Sequence, residues 1–422
     1  MNERLLQFIW QFQYFNKAEL LSFDGENIQV IHPGILNKNQ GPDFTDARIR
    51  IGNTLFAGNI ELHTKTSDWE KHGHQQDPLY QNIILHVVWE HDRSVGSIIP
   101  VLELQSRVSS LLIERYRHWM EQFNLIPCSG QLKELKPLVW KSWKERLLVE
   151  RLGRKTAQIK EYLRENNQHW EESFWWLLAK HFGSKTNARA FETLAKTLPL
   201  KILARHKNNI IQLEALLLGQ AGLLNKKFRE AYPKMLKAEY RFLQKKYRLK
   251  PCFEPVYFLR MRPVNFPTIR LAQLAMLIHQ SSHLFSLIKE VAELSTLKAR
   301  LDITANDYWH YHYVFDELSS FQPKHLGRQM LNSIIINVIG PALFAWGRMM
   351  KQEEFVTKAF QWLEQTDAEQ NSITKKYTEL GIENTCAFDS QALVELKNNY
   401  CDQKRCLDCA VGVSLLKILP AN

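Results

Sequence analysis

Apolar and polar positions follow two rhythms along the chain, and the change comes near residue 105. Before it, short apolar or alternating runs lie between turn residues, the pattern of strands. "FDGENIQVIHPG" is entered through Asp24-Gly25 and closed by Pro33-Gly34, which predicts a strand between them. "DFTDARIRIGNTLFAGNIELHTK" reads as two strands folded about Gly52-Asn53. "NIILHVVWEHD" and "SIIPVLELQ" predict two more, with Pro100 placing the last at a sheet edge. A helix is expected over Glu3–Leu21 from its helical apolar spacing, and a short one in "SDWEKHGH", N-capped by Ser67. The order is helix, three strands, short helix, two strands, which suits a mixed sheet with helical cover.

From residue 106 the period changes to i, i+3, i+4, as in "LVWKSWKERLLVERLGRKTAQIKEYL" and "TIRLAQLAMLIHQ". These segments predict a helical body in which most tryptophans, Trp175 and Trp176 among them, pack the core. The expected organisation is an α/β module over residues 1–105, a mainly helical body over 106–380 and a cysteine-rich tail over 381–422. No apolar run approaches the roughly 18 residues that span a bilayer. The N-terminal stretch lacks the regions of a signal peptide, so no membrane role and a cytoplasmic location are expected.

Charge sharpens the division. Residues 1–105 hold 8 Lys and Arg against 13 Asp and Glu, a net −5, while the remainder holds 47 against 31, a net +16. Basic surface of that kind attracts polyanions, and nucleic acid is the partner it suggests.

Candidate chemistry concentrates between Asn37 and Tyr80. Residues two apart on a strand share a face, so Glu61, His63 and Lys65 are expected to point together. Asp43 opens the preceding strand and would approach Glu61 if the two strands pair. Two neighbouring carboxylates repel unless they share a proton or a cation, and oxygen ligands favour Mg²⁺ or Mn²⁺. A rival centre is a zinc site from His63, His72, His74 and Asp77, with His86 either joining it or serving as a hydrogen-bonded core histidine. Asp68 is expected at the start of the short helix, where its charge is favourable.

"Gly41-Pro42-Asp43 … Glu61-Leu62-His63", in that element order, resembles the PD-(D/E)xK nucleases. The resemblance implies phosphodiester hydrolysis, with Asp43 and Glu61 holding the metal. His63 stands where those enzymes carry lysine, so His63 and Lys65 are the candidates to assist. Longer phrases, including "GNIELHTKTSDWEKHGH" and "RPVNFPTIRLAQLA", resemble a bacterial family known only as a domain of unknown function.

In the tail, Cys386, Cys401, Cys406 and Cys409 give C-x14-C-x4-C-x2-C, the signature of a structural metal site. Zinc is the first expectation. "CDQKRCLDC" also resembles the cysteine tail of endonuclease III-like DNA glycosylases, which implies a [4Fe–4S] cluster as the alternative. Cys128 and Cys252 are expected to be packing residues.

Overall fold

The computed structural model describes residues 1–418 apart from 95, 97, 98, 123, 124, 251, 253 and 282. The chain forms two compact units. The first joins residues 1–143 to 397–422 and the second spans 144–396. The boundaries fall at 143/144 and 396/397, so residues 381–396 of the cysteine-rich tail, with Cys386, go with the helical unit and the rest of the tail with the α/β unit.

The first unit is built on a mixed sheet. Its elements are α1 (Glu3–Gln11), β1 (Ile28–His32), β2 (Ile35–Leu36), β3 (Phe44–Ile51), β4 (Thr54–Lys65), α2 (Asp68–Lys71), β5 (Ile83–Glu90), β6 (Val101–Glu103) and α3 (Ser110–Glu121). The strands lie in the order β1-β3-β4-β5-β6, with β2 also on β3. Pairing is antiparallel from β1 to β4 and parallel from β4 to β6. A parallel neighbour cannot be reached by a tight turn, so residues 66–82 form a crossover containing α2 and two 3₁₀ turns.

The hairpin about Gly52 forms as expected, with Gly52 at φ +55°. β3 alternates from Ala47 onward, Ala47, Ile49 and Ile51 facing in, after a register shift that separates them from buried Phe44. β4 departs from alternation, because Ile60, Glu61, Leu62 and His63 are all buried. Consecutive side chains point to opposite faces, so both faces of that stretch are covered. α1 supplies part of that cover through Leu5, Leu6, Phe8, Ile9 and Trp10, and packs against β4.

Three local expectations change. α1 ends at Gln11 and does not run to Leu21, because Gln13 turns left-handed at φ +56°. The indole of Trp10 then donates to the Pro33 carbonyl at 2.9 Å. Ser67 stands at the N-cap position of α2 but its side chain does not cap the helix; its hydroxyl and N–H donate to Asp92 at 2.7 and 3.0 Å, which ties the start of the crossover to the end of β5. The last strand is shorter than "SIIPVLELQ", covering Val101–Glu103 at the sheet edge, with positions 97 and 98 outside the described residues.

The second unit is helical around one large apolar core. Trp175 and Trp176 are buried there, their indoles donating to the Leu198 carbonyl and the Glu172 carboxylate, both at 3.2 Å. Contrary to the sequence expectation, one helical stretch, Arg328–Met350, is long and apolar enough to cross a membrane. It has 72% of its most apolar window buried inside the protein. A core helix has the same composition, because it too is covered on all sides.

Gly58 fixes where β4 meets the end of the crossover. A Cβ there would lie 2.7 Å from the Asn82 carbonyl oxygen and 2.5 Å from Ile84 Cγ2. Since that carbonyl also accepts the Asn59 N–H, it cannot retreat freely. Gly58→Ala is expected to destabilise the protein by about 1–3 kcal/mol, measured as a lower midpoint in chemical denaturation.

Candidate metal centre

Glu61 and His63 come from one face of β4, and the crossover returns His72 and His74 to the same place. Nε2 of His63 lies 3.1 Å from Nδ1 of His72 and 3.8 Å from Oε1 of Glu61. Nε2 of His74 lies 3.4 Å from the same Glu61 oxygen. The ligand nitrogens of His63, His72 and His74 all fall within 4.8 Å of one another. Burial is graded: His63 is 1% exposed, His74 is intermediate and His72 is at the surface. Nε2 of His74 is buried, yet it takes part in no hydrogen bond.

The surroundings hold these groups in place. His86, opposite Glu61 on β5, brings its Nε2 to 2.8 Å from Nδ1 of His63. Trp69 meets His63 edge-on, and Tyr80 stacks on His74 with ring centres 3.9 Å apart. A cavity of about 520 Å³ opens beside them, lined by Trp69, Glu70, His74, Asp77, Tyr80 and Gln81 among others.

Asp43 and Glu61 meet as the hairpin requires, through the backbone. The Asp43 N–H donates to Glu61 Oε2 at 2.9 Å, and the Leu62 N–H donates to Asp43 Oδ2 at 3.1 Å. Gln7 of α1 donates to Asp43 Oδ1 at 2.7 Å. Each Asp43 oxygen therefore has a donor, while Glu61 keeps Oε1 turned toward the imidazoles.

Burial dominates the proton affinities. It pushes Glu61 up to about 8, with the Asp43 charge adding to the rise, and Asp43 up to about 6. It pushes His63 down to about 3, helped by the three neighbouring imidazoles, and His86 down to about 4. His74 is lowered by burial and by His72. Without a cation, the pocket favours a protonated Glu61 among neutral rings.

The remaining expected residues lie elsewhere. Lys65 is half-exposed and pairs with Glu90 at 3.7 Å, outside the imidazole group. Its position near the end of β4 carries it past the buried stretch. Asp68 accepts from the Lys65 N–H, Thr64 and Lys71; against a burial effect that would raise it, these donors hold it at about 2. Asp77 caps the second 3₁₀ turn by accepting the Leu79 N–H at 2.9 Å. Gln7, Trp69 and Tyr80 complete the surroundings and carry no sequence signal of their own, since each is ordinary for its segment.

Cys401, Cys406 and Cys409 belong to the first unit and Cys386 to the second. The Cys386 thiol is engaged locally, with the N–H groups of Asp389 and Phe388 and the Thr385 side chain.

Neither the curated proteins nor the solved structures contain a match to this chain. A family model described as "Protein of unknown function (DUF2851)" matches residues 3–372. That span takes in the sheet, the imidazole group and most of the helical unit, and the chain belongs to the DUF2851 family.

Proposed function

We propose that this protein is a divalent-metal-dependent hydrolase of phosphodiester bonds, nuclease-like in architecture, with Glu61, His63, His72 and His74 as the metal ligands. The observation that carries the reading is the ligand spacing. Bonds of about 2.0–2.1 Å from zinc to nitrogen and oxygen place tetrahedral neighbours about 3.4 Å apart. The contacts among these four groups that define the cluster are 3.1, 3.4 and 3.8 Å. Three imidazoles and one carboxylate suit a zinc-class ion better than Mg²⁺, which prefers oxygen.

Phosphodiester chemistry is supported by the scaffold and the charge. Apart from the two-residue β2 between β1 and β3, the run α1, β1, β3, β4, α2, β5, with β5 parallel to β4, is consistent with the helix–strand–strand–strand–helix–strand order of the nuclease resemblance. The net +16 of residues 106–422 suits a polyanionic partner, while residues 1–105, which carry the cluster, are net −5. A cation here would supply Lewis-acid polarisation of a phosphoryl oxygen and activation of water near neutral pH. The protein's own part is positional. With Nε2 of His63 committed to the ion, Nδ1–H donates to His86 and fixes the ring. The Asp43 N–H holds Glu61, and Trp69 and Tyr80 wall the cavity beside His74.

Purified protein reloaded with Zn²⁺, Mn²⁺ or Mg²⁺ would be assayed on labelled single- and double-stranded DNA and RNA, and on bis(p-nitrophenyl) phosphate. Hydrolysis is expected with the zinc-class ions. His74→Ala and Glu61→Gln should lower it about 100-fold, while Lys65→Ala should stay within about threefold, since Lys65 lies outside the cluster. Undiminished activity in His74→Ala would overturn the ligand assignment. Cleavage with Mg²⁺ alone that depends on Asp43 would move the metal to the carboxylate pair. Salt-sensitive binding to nucleic acid without cleavage would leave a binding protein.

The proton affinities give a separate expectation. Glu61 is raised from 4.5 to about 8, so cation binding below pH 8 must expel its proton, whereas His63 and His74 are already neutral near pH 7. Zn²⁺ should release about one proton at pH 7, and its affinity should rise about tenfold per pH unit up to about pH 8 and then level. Calorimetry in buffers of different ionisation enthalpy measures the release, and Glu61→Gln should remove it. In the absence of metal the sign reverses. Neutral Glu61 favours the folded state fully below pH 4.5, and that contribution is lost as the pH rises through about 8.

A further inference from the structure

We propose that Cys128, Cys401, Cys406 and Cys409 form a four-thiolate metal centre that fastens the C-terminal segment to the turn after α3. The fourth ligand is then Cys128, from far upstream, and not Cys386.

Three pieces of the first unit converge to make the site. Cys128 lies in a tight turn, where the Ser129 N–H reaches the Ile126 carbonyl and the Gln131 N–H the Cys128 carbonyl, both at 3.1 Å. Cys401 ends a π-helical turn over Lys397–Cys401, and Cys406 opens a 3₁₀ turn over Cys406–Asp408. The closing helix, Ala410–Leu416, follows directly on Cys409 and packs against both α3 and the Ser129–Glu134 turn. Arg115 of α3 fixes its end, Nη1 donating to the Leu415 and Ile418 carbonyls at 2.6 and 2.7 Å. Lys404 donates to the Met120 carbonyl, tying the loop between the cysteines to α3 as well.

Cys128, Cys406 and Cys409 are buried and Cys401 is half-buried, and no disulfide joins any of the six cysteines. Their electrostatic neighbours close on themselves. Cys128 feels Cys401, Cys409 and Cys406; Cys409 feels Cys401 and Cys406; Cys406 feels Cys401. The charged neighbours that act most on Cys386 and Cys252 are Asp389 and Glu254 instead.

Two features go beyond buried thiols acting as small hydrophobes. The sulfur of Cys409 accepts the N–H groups of Val411 and Gly412, donors that stabilise a thiolate. Gly412 is required for that approach, since a Cβ there would collide with the Cys406 carbonyl. The Lys404 charge also favours the anionic form of Cys406. Four sulfurs drawn from two distant stretches of chain, three of them buried and none in a disulfide, match the donor set of a structural metal site. Zinc and an iron–sulfur cluster share this ligand chemistry.

The test uses the full chain carrying His72→Ala and His74→Ala, so that metal at the imidazole group does not enter the count and failure of the hydrolase reading leaves the result intact. After anaerobic purification, metal and acid-labile sulfide are measured together with absorption near 400 nm. About one zinc, or about four irons with matching sulfide and visible absorption, is expected per chain. Cys386→Ser should keep the full content, and Cys128→Ser and Cys409→Ser should lose it. Should those two variants fail to fold, X-ray absorption on the parent chain still decides, four sulfurs at about 2.3 Å around zinc, or a sulfur-ligated iron cluster, being expected. Loss of metal in Cys386→Ser, full retention in folded Cys128→Ser, or a parent chain without sulfur-bound metal would each overturn the proposal.

Discussion

Glu61 lies in the middle of a strand with an antiparallel neighbour on one side and a parallel neighbour on the other. A carboxylate buried there is costly unless its oxygens find partners. One oxygen takes the Asp43 N–H, while Asp43 in turn accepts the Leu62 N–H, so β3 and β4 exchange backbone donors for side-chain acceptors. The exchange occurs where the β3–β4 register shifts, between Phe44 and Ala47, with Asp46 at φ +58°. It leaves the second oxygen aimed at His63 and His74, and the surrounding geometry follows from that one orientation.

Burial then sets the electrostatics. Rings packed around a buried carboxyl repel protonation of one another, and burial favours the neutral forms of Glu61, His63, His74 and His86. The pocket is left with three imidazole nitrogens within 4.8 Å of one another and a carboxyl ready to ionise if positive charge arrives. Under the proposed reading, such an arrangement would discriminate between metal ions by ligand type. Neutral nitrogens offer little to a hard, strongly hydrated ion but bind a zinc-class ion well.

Much of this was legible in the sequence, because strand periodicity reports faces. The turn at Gly52-Asn53, the shared face of Glu61 and His63, and the approach of Asp43 follow from period two and one hairpin. Periodicity does not report where a face stops being covered. Lys65 shares the parity of Glu61 and His63, yet it lies beyond the buried stretch and pairs with Glu90. Nor could it tell that α1 would end at Gln11, because Leu20 keeps a plausible spacing while Gln13 leaves the helical region. The convergence of His72 and His74 depends on the path of the crossover, set by Ser67 on Asp92 and by turns at Gly73 and Asp77. Their spacing suggested ligands without fixing where they would point.

The cysteines show the same limit at longer range. Spacing along the tail draws attention to four clustered residues, of which Cys386 is the first, because proximity in sequence is all that spacing can register. The first unit is assembled from both ends of the chain, residues 1–143 with 397–422. A tail that returns across such a span must be held against the loop entropy of the intervening helical unit. Apolar contact of Val411, Leu415 and Leu416 supplies part of the hold, and the two carbonyls gripped by Arg115 supply direction. Neither device specifies a register to within an ångström, whereas thiolates around one metal do. Cys128 lies in a turn that meets the returning helix, so the proposed metal centre would convert a docked tail into a fixed one.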